Sequence, residues 1–463
     1  MFIGRDRELE TLNKLYEKGN FQFPVIYGRR RVGKTALINE FVKNKGTIFF
    51  TGLETNAAQN LDNFSRAIFD YVNGFGPAPV FRNFQEALEY VFVMAEERRV
   101  ILVIDEYPYA AKSYKGFASV LQVLIDRYKD KSKLFLILCG SSISFMEEQV
   151  LGYKSPLYGR RTAQLKINPF DFFESSKYFK KFSPFDMALV YGMVGGTPQY
   201  LLQIDDRLSV EENIKSTFLN VASYLFEEPN NLLKQEVREV AVYNAIIGAI
   251  AAGSSKLSEI SGKVGEETSA CSIFLKNLIS LGIIKKETPI TETSSKKTIY
   301  SIADNMFRFW HRFIPPNISV IQNDMIEVAY KNIAEQLPVY MGAVFEEICK
   351  QYLWKLNREG KTAFAFMDLG RWWGSDPVEK REAEIDILAV AGKECAIFCE
   401  CKWTNEDIDL SVLETLLGRS RLFPHTKKYY YLFAKTGFTA GCTKRADELG
   451  NVALVPYKNF FAD

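Results

Sequence analysis

Histidine is nearly absent from this 463-residue chain: there are two, His311 and His425. Cysteine is sparse as well, seven residues with no CxxC pair among them. Cys399 and Cys401 lie two apart, which on a strand is a same-face spacing rather than a metal knuckle. These scarcities exclude a zinc framework and a disulfide scaffold, and fit reduced thiols in a cytoplasmic protein. No run approaches the roughly 20 apolar residues that span a bilayer, so no membrane role is expected. The N-terminus reaches a charge at Arg5 and has no apolar signal core. Charge of one sign is not in excess either: Lys+Arg 58 against Asp+Glu 56 gives +2. Any nucleic-acid surface must therefore be local. There is no tandem repeat and no low-complexity tract. What remains is an ordinary folded composition, 47% apolar and 25% charged. Its length suits about two to four domains of roughly 100–200 residues each.

Gly28-Arg29-Arg30-Arg31-Val32-Gly33-Lys34-Thr35 is a complete phosphate-binding loop in the required setting. The apolar run Phe23–Tyr27 enters it as a strand, and Ala36–Lys43 leaves it as a helix. The glycines let successive N–H groups face one centre at a helix N-terminus that already favours anions. Lys34 is placed to reach the β- and γ-phosphates of ATP, and Thr35 to offer a hydroxyl to Mg²⁺.

Val100–Ile104 then delivers Asp105 and Glu106 at the end of a buried strand, where ligands of α/β sheets sit. Asp105 suits Mg²⁺ and Glu106 suits a general base for water; a strand cap starting a turn is the plainer alternative. One further strand, Thr47–Thr51, fits between the two motifs. Leu136–Cys139 leads through Gly140 to Ser141 and Ser142, which either feel the γ-phosphate or cap the next helix. Arg160 and Arg161 precede a fifth strand, Ala163–Ile167. They are either a finger offered to a neighbouring subunit's γ-phosphate, which makes the protein a homo-oligomer, or a solvated basic pair.

With Glu106, the extra strand resembles the branch of P-loop ATPases that carry an additional catalytic glutamate. More specifically, Phe2-Ile3-Gly4-Arg5 with Glu8, both nucleotide motifs, Cys139-Gly140-Ser141, Tyr158-Gly159-Arg160 and Gly195-Gly196-Thr197-Pro198-Gln199-Tyr200 resemble the archaeal-type AAA ATPases related to the STAND class. The resemblance implies that the N-terminal segment lies near the adenine and that Pro198, in the lid, packs over the nucleotide.

Near the other end, Glu384–Val390 and Ala396–Lys402 read as two strands joined by Gly392-Lys393-Glu394. A turn of that length sets Asp386 across from Glu400, and strand period two puts Lys402 on the face of Glu400. Asp386 and Glu400 offer hard oxygens for Mg²⁺ or Mn²⁺, and Lys402 suits a water or scissile phosphate. The arrangement resembles the PD-(D/E)XK nuclease superfamily, which implies a leading acid on the preceding helix, here Glu346. No proline precedes Asp386. Arg371-Trp372-Trp373-Gly374 and Glu400-Cys401-Lys402-Trp403 also resemble the C-terminal domain regularly fused to these archaeal-type ATPases. A strand edge with a salt bridge at Lys402 is the plainer alternative.

Between them, helices Val240–Ala252, Leu257–Lys263 and Ser269–Leu281 precede strands Ile283–Glu287 and Thr298–Ile302, the pattern of a winged helix-turn-helix. Its third helix carries Lys276, with Lys256, Lys263, Lys285, Lys286, Lys296 and Lys297 nearby. DNA contact there is expected to be mostly to the backbone, with little sequence reading. The aromatic run Met306–Phe313 offers either base stacking or packing. The expected architecture is multidomain α/β: a P-loop ATPase core at 1–170 with a parallel sheet, a helical lid at 171–237, the winged helix at 238–305, a linker at 306–334 and a restriction-endonuclease-like α/β domain at 335–463.

Overall fold

The computed structural model describes residues 2–74, 76, 78–292 and 297–461. Lys296, one of the expected wing lysines, lies outside them. The chain forms two compact units, Met1–Phe170 with Thr197–Gln199, and Asp171–Gly196 with Tyr200–Asp463.

In the first unit the elements are α1 (Asp6–Glu17), β1 (Pro24–Tyr27), α2 (Lys34–Val42), β2 (Thr47–Thr51), α3 (Ala57–Asn73), α4 (Phe84–Glu97), β3 (Val100–Asp105), α5 (Tyr107–Ser113), α6 (Phe117–Tyr128), β4 (Leu134–Gly140), the single turn α7 (Ile143–Phe145) and β5 (Ala163–Lys166). The strands make one parallel sheet in the order β2-β3-β4-β1-β5. Successive side chains leave a strand on opposite faces. Val25, Leu102 and Leu136 pack with Phe64, Leu88 and Leu121 of α3, α4 and α6. Their neighbours Ile26, Ile101 and Phe135 pack with Leu12 of α1 and Leu37 and Phe41 of α2. Coverage on both faces is why these strands read as unbroken apolar runs.

The order corrects one expectation. Thr47–Thr51 lies between the two nucleotide motifs in sequence only; as β2 it is the edge strand beside β3. The strand inserted between β1 and β3 in space is β4, which pairs with both.

The lid-region helices are α8 (Phe172–Ser176), α9 (Pro184–Val194), α10 (Pro198–Leu201), α11 (Val210–Thr217) and α12 (Glu228–Glu236). Capping boxes at Ser183 with Asp186 and at Ser209 with Glu212 start α9 and α11. Next come α13 (Val240–Ala251), α14 (Leu257–Val264), α15 (Thr268–Ser280) and the antiparallel hairpin β6 (Ile284–Glu287) and β7 (Ile299–Ile302).

The segment expected as a linker is helical. Asp304 accepts the Phe307 N–H at 3.1 Å and caps α16 (Asn305–Gln322), which is followed by α17 (Ile326–Arg358). Phe307, Phe309 and Phe313 are buried, and Trp310 donates to the Phe226 carbonyl at 2.7 Å. The aromatic run is core rather than a free stacking platform.

The last sheet holds β8 (Asp368–Asp376), β9 (Arg381–Ala391), β10 (Cys395–Lys402), β11 (Lys427–Ala434) and β12 (Val452–Pro456), in the order β12-β11-β10-β9-β8. Helices α18 (Leu410–Ser420) and α19 (Ala440–Leu449) complete the layer. On one face Phe345 and Ile348 of α17 meet Ile387, Ile397 and Phe433. On the other, Leu413 and Leu416 of α18 meet Leu388, Phe398 and Leu432.

Strand β9 carries a bulge. Gly370 pairs with Leu388, but Trp372 pairs with Ile385, so β9 has one extra residue in the stretch that contains Asp386. Bulges of this kind re-aim a side chain.

Candidate nucleotide site and a second acidic pocket

The nucleotide site forms at the C-terminal ends of β1, β3 and β4. Gly28 must lack a side chain, because a Cβ there would stand 2.3 Å from the Ile167 carbonyl oxygen. Arg31 (φ 73°) and Gly33 (φ 86°) adopt left-handed backbone, curling the loop onto the N-terminus of α2. Arg29 and Lys34 are buried, Val32 is core, and Arg30 donates to the Tyr109 hydroxyl at 2.8 Å. Lys34 Nζ donates to the Arg29 carbonyl at 2.9 Å, which holds the ammonium over the loop. Arg5 braces the loop from below, donating to the carbonyls of Val32 at 3.1 Å and Asn168 at 2.6 Å.

Because one strand separates β1 from β3, Thr35 reaches the acidic motif across it. Thr35 Oγ1 donates to Asp105 Oδ2 at 3.0 Å. Glu106 is a non-glycine residue in left-handed conformation, φ 47° and ψ 44°. Its Oε2 accepts from Ser141 Oγ at 2.8 Å, so the end of the inserted strand β4 fixes the carboxylate. Ser142 occupies the N-cap position of α7 but makes no side-chain cap bond there. The Thr197–Gln199 segment also belongs to this unit: Arg29 Nη2 donates to Thr197 Oγ1 at 2.6 Å, and Pro198 Cγ lies 3.6 Å from where a Gly33 Cβ would stand. The donor set fits a magnesium nucleotide: an N–H-lined anion cradle, a lysine, and a hydroxyl–carboxylate pair at hydrogen-bond spacing.

Arg160 and Arg161 diverge. Arg160 makes two bonds to Asp126, Nε to Oδ1 at 2.9 Å and Nη2 to Oδ2 at 2.5 Å, and a third to the Pro156 carbonyl. The Arg160 hydrogen bonds hold the Asp126 carboxyl below its ordinary range. Arg161 lies 5.9 Å over the ring of the exposed Tyr158.

A second pocket, about 630 Å³, is lined by Glu346 of α17 together with Asp386, Lys402, Trp403 and Asn405. The β9–β10 pairing ends with Ile387 opposite Cys399, one residue short of Asp386 and Glu400. Asp386 Oδ2 accepts the Cys401 N–H at 2.8 Å. Burial first, then the charges of Glu400 and Glu346, push its pKa up to about 8. Burial also raises Glu346. Glu400 is itself buried, and both its oxygens are engaged: Lys402 Nζ at 2.7 Å and Arg419 Nη1 at 3.3 Å. A cation bound here would meet Asp386 and Glu346 at the pocket, while Glu400 would have to exchange one of its two cationic partners. Among the described residues no group of three His, Cys, Asp or Glu side chains is arranged to hold a metal. Sequence reasoning missed Arg419, because nothing in the spacing from Glu400 announces that α18 returns to this face.

Comparison with known proteins follows the same division. The model of an ATPase domain predominantly from Archaea matches residues 2–204, and that of archaeal and bacterial proteins of unknown function matches residues 310–413. The first part of the chain is thus an ATP-binding, ATPase-type domain. An uncharacterized protein of Methanocaldococcus jannaschii, MJECL04, is 36% identical over 441 residues, covering 94% of this chain and 96% of that one. An uncharacterized ATP-binding protein of the same organism, MJ0439, is 22% identical over 260 residues, covering 45% of this chain and 71% of the other. Among solved structures, a Walker-type ATPase of Pyrococcus abyssi superposes with a TM-score of 0.51 at 20% identity, covering 67% of this chain and 96% of its own. That likeness concerns the fold. Among the described residues no helix is long and apolar enough to cross a membrane.

Proposed function

We propose, from the premise that this chain belongs to the same family as the MJECL04 protein of Methanocaldococcus jannaschii, that its ATPase domain is a switch whose nucleotide state governs DNA binding and metal-dependent cleavage by the C-terminal half. The observation that carries the ATPase reading is the meeting of Thr35 with Asp105 at 3.0 Å and of Glu106 with Ser141 at 2.8 Å. Mg²⁺, when bound, supplies charge neutralisation between the β- and γ-phosphates. Thr35 and Asp105 would hold it. Lys34 would exchange the Arg29 carbonyl for phosphate oxygens. Glu106 would orient water and take its proton, and Ser141 would keep that carboxylate aimed. Arg161 from a neighbouring copy would stabilise the charge that spreads over the transferring group.

In the second half, helices α13–α15 and hairpin β6–β7 are read as a winged helix that contacts DNA phosphates. Of the described lysines around it, Lys256, Lys263, Lys276, Lys286 and Lys297 are exposed. The pocket of Glu346, Asp386 and Lys402, with Glu400 behind it, is read as a PD-(D/E)XK-type nuclease site taking Mg²⁺ or Mn²⁺. Incubating the Ca²⁺-free protein with Mn²⁺ and supercoiled plasmid should produce nicks that vanish in Asp386→Ala. Undiminished nicking by that variant overturns the nuclease reading.

A second reading has its own support. Glu400 is neutralised by both Lys402 and Arg419, which favours a regulatory protein whose C-terminal domain is an inert scaffold. ATP turnover without metal-dependent cleavage of duplex, single-stranded DNA or RNA would select it.

A further inference from the structure

The first loop residues after β6 are not free in solvent. Pro289 is buried, and the Ile290 N–H donates to the Arg371 carbonyl of β8 at 3.1 Å. The Ile290 side chain packs against the apolar cluster that contains Trp372, Ala383 and Phe423. Its Cβ lies 3.2 Å from where a Cβ on Gly370 would stand, so only a bare backbone at Gly370 leaves this seat open. Strand β8 is the edge of its sheet, with an unpaired outer side able to accept such a bond. The bulge opposite Arg371 lies at the same level.

Two of the hairpin's lysines lie beside the docked elements, Lys285 half-buried and Lys297 exposed. Lys297 Nζ is 2.5 Å from Glu292 and 3.5 Å from a Cβ position on Gly374 of β8. Lys285 Nζ is 3.1 Å from Glu287 and 3.4 Å from Glu347, the neighbour of Glu346 on α17. An apolar seat, a backbone bond and an ion pair therefore tie one hairpin to two elements of the acidic-pocket domain.

We propose that hairpin β6–β7 is a latch. Docked on β8 it leaves Lys285 paired with Glu347 and withholds it from nucleic-acid phosphates; undocked, it presents Lys285 beside the exposed Lys297 to the backbone of duplex DNA. The latch rests on the DNA-binding reading above, and the test separates the two. The Ile290–Gly370 approach is close to the roughly 3.5–4.5 Å Cβ spacing of a disulfide, so Ile290→Cys with Gly370→Cys should lock the hairpin when oxidised. Ile290→Ser and Gly370→Val open it from opposite sides, the second without touching the hairpin.

Binding of the full-length chain to a fluorescein-labelled mixed-sequence duplex is read by anisotropy at fixed salt, with the circular-dichroism spectrum and unfolding midpoint of each variant as the check that it is folded. Both opening variants should tighten binding about tenfold, the gain expected if the hairpin is free about a tenth of the time in the wild type. The oxidised double variant should bind more weakly than its reduced form, and reductant should restore it. Equal affinities across all of these proteins overturn the latch and leave DNA binding standing. No binding by any of them, the opened variants included, overturns the DNA-binding reading and the latch with it.

Discussion

Thr35 Oγ1 lies 3.0 Å from Asp105 Oδ2, although 70 positions separate the two residues in the chain. The contact needs β4 between β1 and β3, so that the loop after one strand and the acid at the end of another face each other over a single intervening strand. Ser141, at the end of that strand, bonds Glu106. The proposed magnesium pair and the proposed base are thereby fixed on neighbouring strand ends.

Glu106→Gln keeps the shape of the side chain and removes the proposed base. ATP binding, followed with a fluorescent analogue, should stay within about threefold of wild type, because no phosphate contact is lost. Steady-state hydrolysis should fall by about 10²–10⁴-fold, the usual worth of a positioned general base. An unchanged rate removes Glu106 from that role. Lys34→Ala should instead weaken nucleotide binding itself.

Gly28→Ala adds a methyl group 2.3 Å from the Ile167 carbonyl oxygen. The loop or the end of β5 must shift to admit it, and overpacking of this kind costs about 1–3 kcal/mol. A lower unfolding midpoint together with weaker ATP binding is expected. A variant with wild-type melting and affinity would show that the loop can relax without consequence.

Arg160 is spent on Asp126 within its own chain, whereas Arg161 rests on Tyr158. Arg161→Ala should therefore lower turnover by on the order of 10³-fold, as loss of an arginine finger does. Arg160→Ala should cost only the weak stability of a half-exposed ion pair, about 1 kcal/mol or less. Mixing Arg161→Ala subunits with Lys34→Ala subunits should restore turnover in hybrid sites that take an intact residue from each. Absence of complementation in a proven mixed oligomer refutes a finger acting between subunits.

His311, in α16, has a pKa lowered to about 4 from 6.5 by burial. Its Nε2 is shielded without a hydrogen-bond partner among the described residues. The folded state thus holds the ring neutral while the unfolded chain takes up a proton below about 6.5. Stability is full above that pH, declines as pH falls toward about 4, and levels off below it, with an amplitude on the order of 3 kcal/mol. His311→Phe should flatten this part of the urea-midpoint profile. The same slope in both proteins would assign the acid sensitivity to other groups.

Much of the nucleotide half was legible in sequence because a two-sided parallel sheet writes itself as apolar runs ending in polar motifs. Strand Thr47–Thr51 has the bounds expected of it. Spatial order was not legible: nothing in Leu134–Gly140 says that it inserts between β1 and β3, since any buried strand has the same composition. In the C-terminal half the β9–β10 register, as far as Ile387 opposite Cys399, follows from turn length, because hairpin register is a local property. The bulge in β9 does not, being an irregularity with no composition of its own. Arg419, the seat of Ile290 on Gly370 and the helical nature of 306–334 are all tertiary facts. Pro315 and Pro316 argued against helix there, and burial of Phe309 and Phe313 overrode them.

The left-handed backbone at Glu106 has a consequence for how this chain could be improved or spoiled. A residue with a Cβ pays about 1 kcal/mol to stand in that conformation, and glycine does not. The backbone at this position therefore works against the carboxylate, and the Ser141 bond works for it. A screen that ranks variants by melting temperature alone would be blind to Glu106→Gly, which relieves the backbone and removes the group proposed to activate water.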